Sequence, residues 1–348
     1  MNKILEQDIE TICSSKFIDW NKIDNHSFFI TGATGLIGSL IVKSFIWRNI
    51  NKNANIKMLL LVRNKKTAID MLGSGNNIEY IESSIENLNY NINVDYIIHG
   101  ASPTQSKFFT QNPVETLDIS ILGTKNVLEI AKNNSVKSMV YLSSMEMYGT
   151  MKDQNVTEEK IGEIEILNTR SSYSEGKRIA ELYCYSYFSE HNVPVKMCRI
   201  AQTFGPGIQK NETRVFKYFT DCIIDKKDII LKSTGRTIIN YSYTTDTVLG
   251  IFCVLLNGIN GTSYNIVGEK TDMTILESAE WLLQEFGNNE NHVICEKNIK
   301  TEFAPDNEMI LQNTKLRELG WEPRVTLKEG YKRLIDYVRL EKRWKWII

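Results

Sequence analysis

The chain has 348 residues, 42% hydrophobic and 24% charged, enough for a full core with room for two lobes. Lysine plus arginine (41) nearly cancels aspartate plus glutamate (42), which excludes a global field that recruits nucleic acid or an anionic membrane. Cys13, Cys184, Cys198, Cys222, Cys253 and Cys295 lack both zinc spacing and disulfide density, and His26, His99, His191 and His292 are dispersed, so no metal site is expected.

In chain order, residues 1–24 read as an N-terminal extension with a short amphipathic helix (Ile4, Leu5, Ile9, Ile12) leading to Phe17-Ile-Asp-Trp20. It carries early acids and no apolar run ending in a small-residue cleavage site, and no later stretch approaches about 20 apolar residues; a cytoplasmic location is expected. Strands and helices then alternate. Strands are expected at Ser27–Thr31, Lys57–Val62, Ile78–Ile81, Tyr96–His99, Ser138–Ser143 and Val195–Arg199, and helices at Leu36–Arg48, Val114–Lys132 and from Tyr173 to Phe188. This alternation predicts an α/β fold, a Rossmann-type doubly wound parallel sheet spanning 25–204. From 205 to 348 the character shifts to short strands (Ile229–Lys232, Ser263–Val267) mixed with helices (Arg214–Ile224, Ile275–Phe286, Leu327–Glu341). The expectation is a smaller mixed α/β substrate lobe, interleaved with the first.

His26-Ser-Phe-Phe-Ile-Thr-Gly32-Ala-Thr34-Gly35-Leu36-Ile37-Gly38 reads as an apolar strand, a glycine turn and a helix. Three glycines at this spacing serve a tight turn, close approach of backbone to a pyrophosphate, and close packing of helix on strand. The acid that accepts the ribose hydroxyls of NAD is expected at the end of the second strand, where Leu59-Leu-Leu-Val-Arg63-Asn-Lys-Lys66 offers no carboxylate. A basic cluster there suits a 2′-phosphate, so NADP is favoured over NAD, with Arg63 as its contact; the alternative is that Arg63, Lys65 and Lys66 are solvated.

Tyr173-Ser-Glu-Gly-Lys177 places a phenol and an ammonium four residues apart on one helix face. A nearby positive charge favours the phenolate, so Lys177 is expected to lower the Tyr173 pKa and make it a base for an alcohol proton. About 30 residues upstream, Val140-Tyr-Leu-Ser143-Ser144-Met145-Glu146 is a strand ending in hydroxyls. No Gly-x-Ser-x-Gly elbow surrounds either serine, which argues against a Ser-His-Asp site.

Together these segments resemble the extended short-chain dehydrogenase/reductases of the NAD-dependent epimerase/dehydratase family over about residues 27–338. The likeness is closest to nucleotide-sugar enzymes of the UDP-glucuronate decarboxylase type, through Ala101-Ser-Pro103, Asn112-Pro113, Tyr173-Ser-Glu-Gly-Lys-Arg178, Thr203-Phe-Gly-Pro206 and Gly320-Trp-Glu-Pro323. The resemblance implies that Ser144 hydrogen-bonds the reacting oxygen, that Lys177 holds the cofactor ribose, and that Ala101 and Ser102 pass beside the cofactor. Glu146 stands where relatives keep a second base, or is a structural acid at the substrate mouth. Substrate contacts are expected from Ser102, Ser144, Met145, Arg214 and Arg236.

Several positions depart from the family pattern. Met145 replaces the aspartate of dTDP-glucose 4,6-dehydratases, Ser84 replaces an adenine-binding aspartate, and Ile239 replaces a diphosphate-gripping arginine. Thr301-Glu-Phe-Ala-Pro-Asp306 lacks the arginine that often precedes the matching aspartate. The implied activity is oxidation and reduction at a sugar carbinol, C4 of a nucleotide-linked sugar, by a homodimer built on the helices bearing Tyr173 and residues 114–132. The alternatives are an NADPH-consuming carbonyl reductase and a cofactor-binding scaffold without turnover.

Overall fold

Phe28, Phe29 and Ile30 are consecutive and all fully buried, and neighbours on a strand point to opposite faces. The strand that holds them must therefore be covered on both sides, as parallel sheets are. The computed structural model, which describes residues 2–88, 92–209, 212–288, 290–296 and 306–344, shows this arrangement. The central sheet uses β1 (Ser27–Thr31), β2 (Lys57–Val62), β3 (Ile78–Glu82), β4 (Tyr96–His99), β5 (Ser138–Ser144), β6 (Val195–Ile200) and β11 (Ser263–Ile266). Its order is β11-β6-β5-β4-β1-β2-β3, with every pairing parallel.

The helices α1 (Lys3–Cys13), α2 (Leu36–Lys52), α3 (Lys65–Leu72), α4 (Ser106–Gln111), α5 (Pro113–Asn134) and α6 (Ser171–His191) belong to the first two thirds of the chain. Phe29 joins a core built with Ile119, Val127 and Leu128 of α5 and Ala180 and Cys184 of α6. Phe28 and Ile30 face the opposite core, with Leu40 and Phe45 of α2.

Beyond β6 come β7 (Gln202–Phe204), α7 (Val215–Asp225), β8 (Ile229–Leu231), β9 (Ile238–Ile239), β10 (Tyr241–Tyr243) and α8 (Thr244–Asn257). After β11 follow β12 (Met273–Thr274), α9 (Ile275–Phe286), β13 (Val293–Cys295), α10 (Thr314–Arg317) and α11 (Leu327–Trp344). Three two-stranded pairs, β7 with β10, β8 with β13 and β9 with β12, form the smaller lobe. Residue 204 is not a clean cut: α8 returns to pack beneath the main sheet and β11 becomes its edge strand.

The N-terminal helix is part of the same body. Asp8 of α1 is buried and accepts from Tyr243 Oη (2.8 Å) and from Arg333 Nε of α11 (3.0 Å), so the first helix, the last helix and β10 meet on one carboxylate.

Candidate active site

The carboxyl ends of β1, β4 and β5 form one edge, and the glycine turn lies there. Gly32 has φ +72°, and a Cβ on it would sit 2.5 Å from Gly100 O; a Cβ on Gly38 would sit 2.2 Å from Gly32 O. Only glycine lets turn, helix and β4 loop approach this closely. Gly35 is the N-cap of α2 and brings no side chain, so the first-turn amides of Leu36, Ile37 and Gly38 face the sheet edge without a capping acceptor. A helix start with free amides and no side chain in front of it fits a pyrophosphate. Thr34, Leu36 and Ile37 are all partly exposed at this edge.

A buried relay fixes the neighbouring loop. Thr31 Oγ1 accepts from Gly100 N (3.1 Å) and Ala101 N (3.0 Å) and lies 2.7 Å from His99 Nδ1, while His99 Nε2 lies 3.1 Å from Thr124 Oγ1. Burial and the nearby Lys177 charge push the His99 pKa down to about 3, so the ring is neutral and accepts from Thr31 while donating to Thr124. The loop Gly100–Ser102 is thereby held against the glycine turn. Ser102 Oγ contacts only Pro103 O, at 3.4 Å, among the described residues.

Helix α6 delivers Tyr173 and Lys177 to the end of β5. The Tyr173 ring is buried and stacked on Phe109 of α4, with centroids 4.2 Å apart and planes 5° from parallel. Burial raises the phenol pKa well above its ordinary value, the Glu146 carboxylate raises it further, and Ser144, Arg214 and Arg170 act to lower it. The expected lowering by Lys177 is not what the fold produces. Lys177 Nζ lies 5.8 Å from the Tyr173 ring centre and donates to Leu142 O at 2.9 Å, and burial pushes its own pKa down to about 8. Desolvation thus outweighs the lysine, and the groups that weaken the phenol proton are a hydroxyl and two guanidinium groups.

Ser144 ends β5 and caps a 3₁₀ turn, Met145–Tyr148, through Glu146 N to Ser144 Oγ (3.2 Å). Glu146 is therefore aimed by the same turn. Its pKa is raised by burial and opposed by Arg170, whose Nη2 lies 3.4 Å from Glu146 Oε2. The Glu146 side chain keeps 34% of its area open to solvent, so water offsets part of the cost of its burial. Arg214 caps α7, is held by Glu212 (Nη2 to Oε2, 2.6 Å) and lies over the Phe216 ring.

The pattern is matched by a family model, "NAD dependent epimerase/dehydratase family", over residues 28–267, more than half of the chain. The chain belongs to this family. It is 29% identical to UDP-glucuronic acid decarboxylase 1 of Xenopus tropicalis over 91% of this chain and 73% of that protein. It is 27% identical to UDP-glucuronic acid decarboxylase 6 of Arabidopsis thaliana over 94% and 92% of the two chains. An epimerase from Methanothermobacter thermautotrophicus has the same fold, with a TM-score of 0.78 at 19% identity, covering 96% of this chain and 97% of the other.

Within the family, the departures take on physical form. Ile239 is buried in the core on β9, so the place of the expected arginine is a packing position. Arg236 is exposed, and its side chain has no hydrogen bond or ion pair among the described residues; nothing brings it to Tyr173. Met145 and Met151 are partly buried against a cluster of Met147, Tyr148, Val156 and Met309, which makes this wall apolar. Residues 301–305 lie outside the described residues, and Asp306 accepts from Thr234 Oγ1 at 2.6 Å. Ser84 Oγ accepts from Asn87 Nδ2 at 3.0 Å.

Four contributors to the site leave no local pattern in the sequence. Phe109 and Arg170 bear on Tyr173, the second only three residues before it. Arg178 ties α6 to the turn bearing Glu146 through Met147 O (2.6 Å). Glu82, at the end of β3, accepts from Lys65 N (3.1 Å), so a carboxylate from the neighbouring strand does stand beside the Arg63 segment. Lys65 and Lys66 open α3, whereas Arg63 is exposed just beyond β2.

Among the described residues, no group of three or more metal-ligating side chains and no helix long and apolar enough to cross a membrane is found.

Proposed function

We propose that the protein oxidises and re-reduces the C4 carbinol of a nucleotide-linked sugar, with a hexuronic acid as the favoured sugar class. The observation that carries this reading is a buried phenol, stacked on Phe109, on a helix packed against the turn that holds Ser144 and the Glu146–Arg170 pair. Tyr173 takes the C4 hydroxyl proton, and Ser144 hydrogen-bonds the same oxygen. The glycine turn would hold the dinucleotide and Lys177 its ribose, and the bound group would supply the hydride acceptor and donor. A ketone at C4 acidifies C5–H and, in a uronic acid, labilises the bond to the carboxylate. In this reading Glu146 takes or delivers the C5 proton, and Arg170 and Arg214 offer guanidinium groups for a carboxylate or phosphate. The names of the relatives, UDP-glucuronic acid decarboxylases, support the same sugar class. Met145 supplies no acid for a leaving hydroxyl, so dehydration is disfavoured. Incubation with a panel of UDP-sugars and mass spectrometry of products tests the reading: UDP-glucuronic acid should lose carbon dioxide or be inverted, with no net change in cofactor.

NADP is favoured over NAD, because Arg63 is exposed and a nearby carboxylate, Glu82, is engaged by the Lys65 amide. Arg63→Ala should weaken NADPH binding about tenfold and leave NADH unchanged, read by fluorescence titration. The same Arg63 supports the second reading, a reductase that consumes NADPH; net oxidation of added NADPH would select it.

A homodimer built on α5 and α6 follows from their outward apolar side chains: Leu182 (63% exposed) and Tyr185 (52%) on α6, and Val114 and Leu122 on α5. Light scattering should give twice the chain mass, and a monomer would refute it.

A further inference from the structure

We infer that Arg178 and Glu181 are positioning residues that clamp the Ser144–Glu146 turn, at both of its ends, to the helix that carries Tyr173. The inference rests on the reading above, in which Ser144 and Glu146 serve Tyr173.

The downstream clamp is Arg178, the residue after Lys177. Its Nε donates to Met147 O (2.6 Å), and its Nη2 donates to Tyr148 O (2.9 Å) and Gly162 O (2.7 Å). Nη1 reaches Glu175 Oε1 at 3.2 Å on the same helix, which fixes the plane of the guanidinium. Met147 and Tyr148 close the 3₁₀ turn, so the grip begins one residue after Glu146. Gly149 (φ +77°) and Gly162 allow the returning segment to come this close: a Cβ on Gly149 would lie 2.3 Å from Glu163 O. That segment leads on to Arg170, the partner of Glu146.

The upstream clamp is Glu181, one turn further along α6. It accepts from Ser143 Oγ (2.5 Å), the residue before Ser144, and is held by Arg199 Nε (3.0 Å) and Nη2 (2.7 Å). Ser144-Met145-Glu146 is thus tied on both sides to the helix bearing Tyr173.

This arrangement has a catalytic consequence beyond stability. The charged and titratable groups that act on the Tyr173 phenol are Glu146, Arg170 and Arg214, with Lys177 at 5.8 Å from its ring. Displacing the turn moves Ser144 and Glu146 relative to the phenol, and so changes both the geometry of proton removal and the pH at which it occurs. A lysine at 178 has no planar fork and reaches fewer carbonyls at once.

The test compares Arg178→Met, Arg178→Lys and Ser143→Ala with the wild-type holoenzyme. Arg178→Met should lower kcat about 10- to 100-fold, leave dinucleotide affinity unchanged, and displace the midpoint of the kcat–pH profile. Arg178→Lys should recover only part of kcat, and Ser143→Ala should lower kcat several-fold with the same displacement. Wild-type kcat and pH midpoint in Arg178→Met, or full recovery in Arg178→Lys, overturns the inference. If Arg178→Met does not fold, an unchanged kcat and midpoint in Ser143→Ala overturns it. Hydrogen exchange adds a readout free of turnover: amides of residues 143–149 should lose protection in Arg178→Lys and Ser143→Ala while the glycine turn keeps it. Unchanged protection overturns the clamp, whereas a wild-type enzyme inactive on every nucleotide sugar overturns the proposed function alone.

Discussion

Tyr173 lies face to face with Phe109, 4.2 Å between ring centres, so a residue of the short helix α4 sets the plane of the phenol. The stack desolvates the ring and fixes its two torsions, leaving only the hydroxyl to react. Phe109→Leu keeps an apolar side chain of similar bulk and should cost less than about 1.5 kcal/mol of stability. It should also cost about tenfold in kcat, because the plane is no longer held. Melting and turnover of the same preparation check both.

Glu146 raises the Tyr173 pKa and pairs with Arg170. Glu146→Gln removes that negative charge, so the phenol ionises more readily and the pH dependence of the first oxidation should move toward acid. The same substitution removes the group proposed to handle the C5 proton, so full turnover should fall about 10²- to 10⁴-fold. Rapid-mixing absorbance of the reduced nicotinamide separates the two steps: reduction persists and product release does not follow.

Lys177 is almost fully buried, and its pKa is pushed from its usual 10.5 down to about 8. The unfolded chain therefore binds more protons than the folded one between about pH 8 and 10.5, and stability rises with pH across that window. At pH 7 the lysine is protonated in both states and the cost of burying its charge is fully present. Lys177→Met should be more stable than wild type at pH 7, on the order of 1–3 kcal/mol, while losing turnover. The gap should close as pH rises toward 10, measured by denaturant unfolding at several pH values.

The glycine turn yields a graded test. A Cβ at Gly38 would stand 2.2 Å from Gly32 O, whereas one at Gly35 would stand 3.3 Å from the same oxygen. Gly38→Ala should abolish dinucleotide binding and lower the melting temperature, and Gly35→Ala should weaken binding with little change in melting. Calorimetric titration with NADPH and NADH checks this order.

The fold was legible where one physical signal dominated. β1, β2 and β4 were marked by apolar runs between turn residues, and their bounds agree with the structure. Helix α8 opens on Thr244-Thr-Asp-Thr247 and then runs apolar to Leu256 except for Gly250, so its sequence carries no helical period. It is buried on every side, so it shows no amphipathic stripe, and a run such as Val248-Leu-Gly-Ile-Phe-Cys-Val-Leu-Leu256 fits strand or helix equally well. Tyr173 and Lys177 stood out because their spacing is local to one helix. Phe109, Glu82 and Arg178 act across elements, through stacking, a strand-to-helix amide and carbonyl contacts, none of which leaves a local pattern. The direction of the Tyr173 pKa is hidden for a related reason: helix spacing reveals a neighbouring charge but not the depth at which both groups are buried.

In the proposed function Tyr173 removes a proton from a sugar carbinol as that carbon is oxidised. The most direct measurement is single turnover of the holoenzyme with UDP-glucuronic acid carrying deuterium at C4, following absorbance of the reduced nicotinamide. Wild type should show transient reduction slowed by the label, and Tyr173→Phe, which keeps the ring on Phe109, should show none. Equal reduction in both proteins, or product formed by wild type without any isotope effect or transient, would contradict the account.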